Sequence, residues 1–158
     1  MKKAWLWLGI VVFWCSWPAL WLYMFGSKRT RLLIVCGDEY LVVRGRIGSG
    51  SWGLPGGGLH KSEDSVTGLL REVHEETGIE LMPNQLKFMY KSEYNDYGFK
   101  FTYDCYSVVI AKKPNVQTQK LEILDYAWLK LNSPISKLTG DGRDAIASWH
   151  KTQGTNNS

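Results

Sequence analysis

Hydrophobic positions divide the chain into an uncharged N-terminal segment and a longer part in which apolar runs alternate with polar breaks. Residues 4–26 contain no charged side chain. After them, residues 31–36 and 39–44 are rich in branched apolar side chains, and Gly37-Asp38 between them is typical of a hairpin turn. Further apolar runs predict strands at residues 85–94, 99–111 and 123–131, and a final helix at residues 141–151.

A helix is predicted from Glu63 to Thr77 between the second and third strands. Its apolar positions recur at helical spacing, at Val66, Leu69, Leu70 and Val73. Ser62 is the predicted N-cap, and Gly78 suits the position just after the last turn. Gly68 inside the helix costs about 1 kcal/mol relative to alanine, so close packing is expected there. Strands before, between and after helices predict an α/β fold with a mixed sheet between helical layers.

The uncharged segment, residues 4–26, is predicted to be one transmembrane helix. At ~1.5 Å per residue it would reach about 35 Å, which exceeds a hydrocarbon core of ~30 Å. Five of the eight tryptophans lie in the first 21 residues, several near the two ends of the segment, where aromatic rings favour the membrane interface. Two alternatives stay open: a cleaved signal peptide, although no A-x-A-like site is visible, and a buried helix.

Charges on either side of this segment predict its orientation. Lys2 and Lys3 precede it, whereas Lys28, Arg29 and Arg31 follow it. Because positive charge is enriched on the cytoplasmic side, we expect a single-pass membrane protein whose globular part faces the cytoplasm.

Composition limits the domain organisation and the partners. The 158 residues suffice for one domain with a core, and we divide them into an anchor at 1–27, a globular domain at 28–152 and a flexible tail at 153–158. The net charge of +4 is concentrated near the anchor, so no specific nucleic acid is expected as a partner. The three cysteines are too far apart for a zinc site or a disulfide framework.

The predicted central helix gathers acidic residues on one face. Glu72, Glu75 and Glu76 stand at i, i+3 and i+4, and Arg71 is the only lysine or arginine between Glu63 and Thr77. Two carboxylates about 6 Å apart repel by roughly 3 kcal/mol at an effective dielectric constant near 20. A solvated acidic face is the simpler explanation. The adjoining segment 45–58 is half glycine, however, and its carbonyl groups together with these carboxylates suit Mg²⁺ or Mn²⁺.

The spacing of these residues resembles the complete signature of the Nudix hydrolase family. Gly57, Glu63, Arg71-Glu72-Val73, Glu75-Glu76 and Gly78-Ile79 all stand at the signature's spacing, after the approach sequence WGLPGG at residues 52–57. The resemblance covers residues 30 to 150 and implies a Nudix-type α/β/α sandwich. It implies an enzyme that hydrolyses a nucleoside diphosphate linked to another group, by attack of water at phosphorus.

The resemblance also implies roles for the site residues. Glu72 and Glu76 would be principal metal ligands, Glu75 a further ligand or the base, and the carbonyl of Gly57 another ligand. The cofactor would be Mg²⁺, with Mn²⁺ as an alternative. Arg71 would brace the carboxylates by pairing with Glu63, and Gly78 would be structural.

The general base in several members of the family comes from a later loop. Glu122 is the best-placed acid for that role, with Asp125 and Glu93 behind it. An alternative function is a catalytically silent, membrane-tethered domain that senses nucleotides. Such a domain typically lacks one of the box residues Glu72, Glu75, Glu76 and Arg71, which are all present, so the sequence favours the enzyme.

The substrate is expected to be a nucleotide-derived small molecule, and neither its identity nor the oligomeric state follows from the sequence. Phe99, Phe101 and Tyr103 alternate along a predicted strand, which indicates one buried face of the sheet. His60, His74 and His150 are isolated in the sequence, so we expect surface or structural roles for them.

Overall fold

The computed structural model describes residues 2–19, 26–47, 49–96, 99–118 and 122–155. The main helices and strands of the described residues follow in the order α1 (Lys2–Cys15), β1 (Lys28–Cys36), β2 (Glu39–Gly45), α2 (Ser65–Thr77), β3 (Lys87–Asp96), β4 (Phe99–Val109), β5 (Ile123–Lys130) and α3 (Gly140–Thr155). Two short 3₁₀ turns lie at Pro83–Gln85 and Ile135–Lys137.

The five strands form one mixed sheet, as the sequence predicts. Their spatial order is β3-β4-β1-β2-β5. β1 and β4 are parallel, whereas every other neighbouring pair is antiparallel. The predicted hairpin joins β1 to β2, with Cys36 opposite Glu39 and Gly37 in the left-handed region at φ +62°. Residues 97 and 98 of the predicted turn between β3 and β4 lie outside the described residues.

Alternate residues of the central strands build a core on each face of the sheet. Leu32 and Ile34 of β1 belong to the cluster that contains Leu69 and Val73 of α2. The opposite face carries the second cluster, which includes Leu33 and Val35 of β1, Phe101 and Tyr103 of β4, and Ala145 and Ile146 of α3. The predicted arrangement of helices on both faces of the sheet is therefore confirmed, and so is the buried face that carries Phe101 and Tyr103.

The C-terminal end of α2 matches the prediction, whereas the N-terminal end does not. Gly78 follows the helix at φ +68° and donates its N–H to the carbonyl of His74 at 2.8 Å, as expected. The predicted N-cap Ser62 is wrong, because it lies at φ +66° before the helix. Asp64 is the N-cap, and its Oδ1 accepts hydrogen bonds from the N–H groups of Val66 and Thr67, both at 3.0 Å. An aspartate at this position satisfies free N–H groups and also complements the helix dipole.

Gly68 lies where α2 packs against the preceding loop. A Cβ atom at this position would lie 2.3 Å from Cδ2 of Leu59 and 2.9 Å from Oε2 of Glu63. The predicted close packing at Gly68 is therefore confirmed.

The N-terminal helix α1 has 14 residues and contacts the domain through one side. Phe13 is buried in the core cluster on the α3 face. The other side exposes large apolar side chains, at Trp5, Trp7, Leu8, Val11, Val12 and Trp14. Among the described residues, no helix has both the length and the apolar character that a membrane span requires. Residues 20–25 of the predicted span lie outside the described ranges.

The last helix is longer than the sequence predicts. α3 continues to Thr155, three residues into the segment 153–158 that we expected to be a flexible tail. Residues 156–158 lie outside the described part of the chain.

Candidate active site

Arg71 of α2 connects the acidic residues of the predicted site. Its Nε and Nη2 donate hydrogen bonds to the two carboxylate oxygens of Glu63, at 3.0 and 2.9 Å. Its Nη1 donates to Oε1 of Glu72 at 2.9 Å and to Oε2 of Glu75 at 3.2 Å. The expected pair of Arg71 and Glu63 is therefore present, and the same guanidinium also reaches Glu72 and Glu75.

Glu63 is the acid that Arg71 stabilises most directly. The two hydrogen bonds from Arg71, helped by the N–H of His60, lower the pKa of Glu63 to about 2. The bidentate geometry orients Arg71, whose Nη2 also donates to the carbonyl of Gly58 at 3.1 Å. Glu63 thereby anchors the loop of residues 58–63 to α2 and fixes the guanidinium that contacts the other two glutamates.

The backbone at Gly57 lies directly against the carboxylate of Glu72. A Cβ atom at position 57 would lie 2.2 Å from Oε2 of Glu72, so only glycine fits this position without displacing the carboxylate. The carbonyl of Gly57 accepts the N–H of Thr30 at 2.9 Å. Because a carbonyl oxygen has two lone pairs, one acceptor site of this predicted metal ligand is still available.

Glu76 points away from Arg71 towards the sheet. Its Oε2 accepts the N–H of Gly56 at 2.9 Å. Burial is the main cause that raises the pKa of Glu76 to about 7. The charge of Glu72 acts in the same direction, whereas the N–H of Gly56 and the charges of Arg31 and Arg29 act in the opposite direction. Glu76 therefore lies in a largely dehydrated position, and its positive neighbours only partly offset the cost of burying its carboxylate.

A buried ion pair holds the backbone that contacts Glu76. Nε of Arg31 donates to Oδ2 of Asp141, which is only 2% exposed at the start of α3. Nη1 of Arg31 donates to the carbonyls of Thr30 and Gly56, both at 2.9 Å. The network thus runs from Asp141 through Arg31 to Gly56, whose N–H donates a hydrogen bond to Glu76. Sequence reasoning missed this role, because Arg31 was interpreted as a charge beside a membrane segment and Asp141 only as the start of the final helix.

A cavity of about 270 Å³ lies next to Glu76. Its polar wall contains Arg29, Arg31, Glu76 and Asp141, and its apolar wall includes Val43, Leu54 and Ile123. Tyr94 and Phe101 also line it, with their rings stacked at 4.5 Å between centroids and 9° between planes. Phe13 of α1 lines the cavity as well. The cavity therefore offers charged and aromatic surfaces within one space, beside a predicted metal ligand.

The predicted general bases lie outside the lining of this cavity. Glu122 is exposed just before β5, and its backbone carbonyl accepts the N–H of Arg46 at 2.7 Å. Asp125 lies opposite Arg44 in the pairing of β2 with β5, and Glu93 is on β3 opposite Thr102. The residues that follow Glu122 and Glu93 in the chain, Ile123 and Tyr94, do line the cavity.

The predicted metal ligands are close to one another, but they are not arranged around a common point. In the described part of the chain, no three His, Cys, Asp or Glu side chains form a group that could hold a metal ion. Arg71 holds Glu72 and Glu75, whereas Glu76 bonds the N–H of Gly56. The donor set still fits Mg²⁺ or Mn²⁺, since it consists of carboxylate and carbonyl oxygen atoms, includes the buried carboxylate of Glu76 and has the backbone of Gly57 directly against Glu72.

Comparison with known protein families assigns the chain. The NUDIX domain matches residues 26–149, which include α2, the acidic site and the whole sheet. The chain belongs to the NUDIX family. The residues that Arg71 and Gly57 bring together are those of the Nudix box.

Individual NUDIX proteins resemble the chain in sequence or in fold. A MutT-like protein from Streptomyces ambofaciens is 42% identical over 60 residues, which cover 38% of this chain and 39% of that protein. The MutT NUDIX hydrolase from Burkholderia pseudomallei has a TM-score of 0.70 at 22% identity, covering 78% of this chain and 97% of that one. The NUDIX domain of Shewanella oneidensis NrtR, complexed with ADP ribose, has a TM-score of 0.70 at 18% identity, covering 85% and 97%.

Proposed function

We propose that this NUDIX protein is a metal-dependent pyrophosphohydrolase that cleaves a nucleoside diphosphate linked to another group. The observation that carries the proposal is the position of Glu76, which borders a cavity lined also by Arg29, Arg31 and the stacked rings of Tyr94 and Phe101. Arginines attract phosphate groups, and aromatic surfaces suit a nucleobase. A nucleotide derivative combines these two chemical features.

Glu72, Glu76 and Glu75, with the carbonyl of Gly57, would hold Mg²⁺ or, as an alternative, Mn²⁺. When bound, such an ion supplies positive charge for the developing phosphate charge and lowers the pKa of an attacking water. Arg71 keeps Glu72 and Glu75 beside the loop of the box. The N–H of Gly56 fixes the carboxylate of Glu76 at the cavity wall.

The proposed substrate class is supported by similar folds. Besides the ADP ribose complex of the NrtR domain, an Ap4A hydrolase from C. elegans has a TM-score of 0.68 at 18% identity, covering 82% of this chain and 98% of that one. Both named compounds contain adenosine linked through phosphates to a second group. We propose a substrate of this general kind without choosing among bases or second groups.

We propose Glu122 as the general base, with Glu75 as the alternative. Glu122 precedes Ile123, a residue of the cavity wall, and its exposed side chain lies where a part of the substrate that extends beyond the cavity would reach it. The variant Glu122→Gln should lower kcat and remove one limb of the pH–rate profile. If Glu75→Gln has that effect instead, Glu75 is the base.

We also propose that residues 4–26 attach the chain to a membrane surface through the exposed apolar side of α1, with the domain facing the cytoplasm. Phe13 is buried in the core of the domain, so α1 lies on the domain rather than inside a bilayer. The absence of charge in this segment and the exposed tryptophans of α1 support the attachment. Because Arg31 pairs with Asp141, it no longer counts among the positive charges that flank the segment. The proposed orientation therefore rests mainly on the supply of nucleotides and Mg²⁺ inside cells. Recovery of the full-length chain in the soluble fraction without any wash would refute the attachment, and digestion of the domain by external protease would reverse the orientation.

The deciding experiment is an Mg²⁺-dependent screen of the full-length chain, purified in detergent, against nucleoside triphosphates, ADP-ribose, nucleotide sugars and dinucleoside polyphosphates. Glu72→Gln and Glu76→Gln should each lower kcat at least a hundredfold while the protein stays folded. Glu80→Gln, an exposed acid just after the box, is the matched control and should keep wild-type turnover. Binding of these compounds without turnover would favour the silent sensor.

A further inference from the structure

Helix α1 lies across the loop that follows β2. A Cβ atom at Gly9 would lie 1.8 Å from the carbonyl oxygen of Arg46, so the helix backbone is in direct contact with that loop. The next residue of α1, Ile10, contacts the same loop, since a Cβ atom at Gly50 would lie 3.0 Å from its Cδ1. The guanidinium of Arg46 also lies 5.1 Å from the ring centroid of Trp5. Gly50 lines the cavity described above, and Arg46 lies between the lining residues Gly45 and Ile47, so α1 lies beside the cavity wall.

Phe13 is the residue of α1 that enters the cavity wall. Its side chain is 9% exposed and lines the same space as Glu76, Arg31, Tyr94 and Phe101. The match to the NUDIX domain begins at residue 26, so this part of the wall comes from outside the family's common fold.

We infer that α1 is part of the substrate-binding cavity and that Phe13 is a specificity-determining residue, which limits the size of the nucleobase that the cavity accepts. The inference rests on the proposed function, since it assigns a base to the apolar part of the same cavity. A phenyl ring at the wall removes space that a larger base would occupy. In hydrophobic pockets, small changes of volume alter discrimination between ligands by about 10- to 200-fold.

The first test compares purine and pyrimidine forms of one substrate, ATP with UTP or ADP-glucose with UDP-glucose, using the full-length chain. In Phe13→Ala, we expect the purine-to-pyrimidine ratio of kcat/KM to rise at least tenfold, through KM, with kcat within twofold of wild type. Phe13→Leu should have a smaller effect in the same direction. Val11→Ala, an exposed position on the other side of α1, is the matched control and should leave the ratio within twofold.

A second variant separates specificity from stability. Gly9 is not itself a residue of the cavity wall, and alanine raises intrinsic helix propensity there. The methyl group would, however, collide with the carbonyl of Arg46, next to the wall residue Ile47, and push α1 from its site. It should therefore reproduce the changed ratio of Phe13→Ala. If Phe13 merely supported the fold, these variants would reduce the active fraction and hence kcat, with unchanged KM and an unchanged ratio.

A third measurement keeps the inference independent of turnover. If the wild-type chain hydrolyses none of these compounds, the proposed function fails, and the same variants are compared by calorimetric binding of AMP and UMP in the presence of Mg²⁺. Phe13→Ala must then change the ratio of the two Kd values at least tenfold. An unchanged ratio in both Phe13→Ala and Gly9→Ala, or no binding of either nucleotide by the wild-type chain, overturns the inference.

Discussion

Oε2 of Glu72 lies so close to Gly57 that a Cβ atom at position 57 would be 2.2 Å from it. The loop before α2 and the helix itself therefore meet at one carboxylate and one peptide group. This contact explains physically why the Nudix box needs glycine at its first position: any side chain would occupy the space of the predicted metal ligand.

Replacing that glycine gives the first prediction. Gly57→Ala should lower kcat at least a hundredfold, because the methyl group displaces the carboxylate of Glu72. Gly58→Ala is the matched control, since a Cβ atom there would lie 3.7 Å from Nη1 of Arg29, an ordinary contact. Both variants are measured by steady-state hydrolysis of the best substrate from the screen. Equal activities of the two variants would contradict this explanation.

The second prediction concerns pH and the stability of the metal-free protein. The pKa of Glu76 is raised from 4.5 to about 7. Between these values the folded chain keeps a proton that the unfolded chain releases, so the stabilisation is full below pH 4.5 and is lost as the pH rises through about 7. The loss should amount to about 1–3 kcal/mol, as one pKa unit corresponds to about 1.4 kcal/mol.

This change is measured by denaturant unfolding in EDTA at pH 5 and pH 8, with Glu76→Gln as the reference because glutamine does not titrate. The wild-type free energy of unfolding should fall relative to that of Glu76→Gln between the two pH values. A constant difference between the two proteins would show that Glu76 titrates alike in the folded and unfolded chains.

The third prediction concerns Arg71 and separates the roles of two of its partners, Glu63 and Glu72. Arg71→Ala should reduce both the free energy of unfolding, by about 1–3 kcal/mol, and the turnover, because three carboxylates lose a charged donor. Glu63→Gln should reduce kcat less than Glu72→Gln does, since Glu63 bonds Arg71 and the N–H of His60, whereas Glu72 is a proposed metal ligand beside Gly57. Unfolding curves and steady-state kinetics are compared on the same preparations. If Glu63→Gln has the larger effect on kcat, the roles of the two glutamates must be exchanged.

The fourth prediction concerns Asp141. Asp141→Asn removes the charge that balances buried Arg31, so we expect a loss of about 3–5 kcal/mol in the free energy of unfolding. Turnover should fall as well, because Arg31 holds the carbonyl of Gly56. Asp144→Asn is the control on the same helix. The carboxylate of Asp144 is exposed and accepts a hydrogen bond of 3.2 Å from the hydroxyl of Tyr103. Similar effects of the two variants would remove Asp141 from the network.

The box could be predicted from the sequence because its partners are close in the chain. Arg71 and Glu63 are eight residues apart and join a helix to the loop before it, so local spacing predicts their contact. The strands and the mixed sheet likewise followed from runs of apolar residues between turns. The N-cap was misassigned, because Ser62 and Asp64 are both good caps and the tertiary position of Glu63 decides between them.

The parts of the site that depend on distant contacts could not be predicted. Arg31 and Asp141 are 110 residues apart, and nothing in their local sequence indicates that they meet. Phe13 lies in a segment whose uniform apolarity suggests a bilayer as readily as a protein surface. The direction of Glu76 differs from that of Glu75 because the N–H of Gly56 attracts it, which periodicity alone does not show.

The pairing of Arg31 with Asp141 also determines when the site is completed during synthesis. Strand β1 leaves the ribosome early, whereas the start of α3 follows after the whole of the Nudix box and the remaining strands. Until residue 141 emerges, Arg31 has no counterion from α3, and the peptide of Gly56 lacks its anchored partner. A nascent or prematurely terminated chain can therefore contain the entire box and still lack an ordered site, so that final assembly waits for the C-terminal helix.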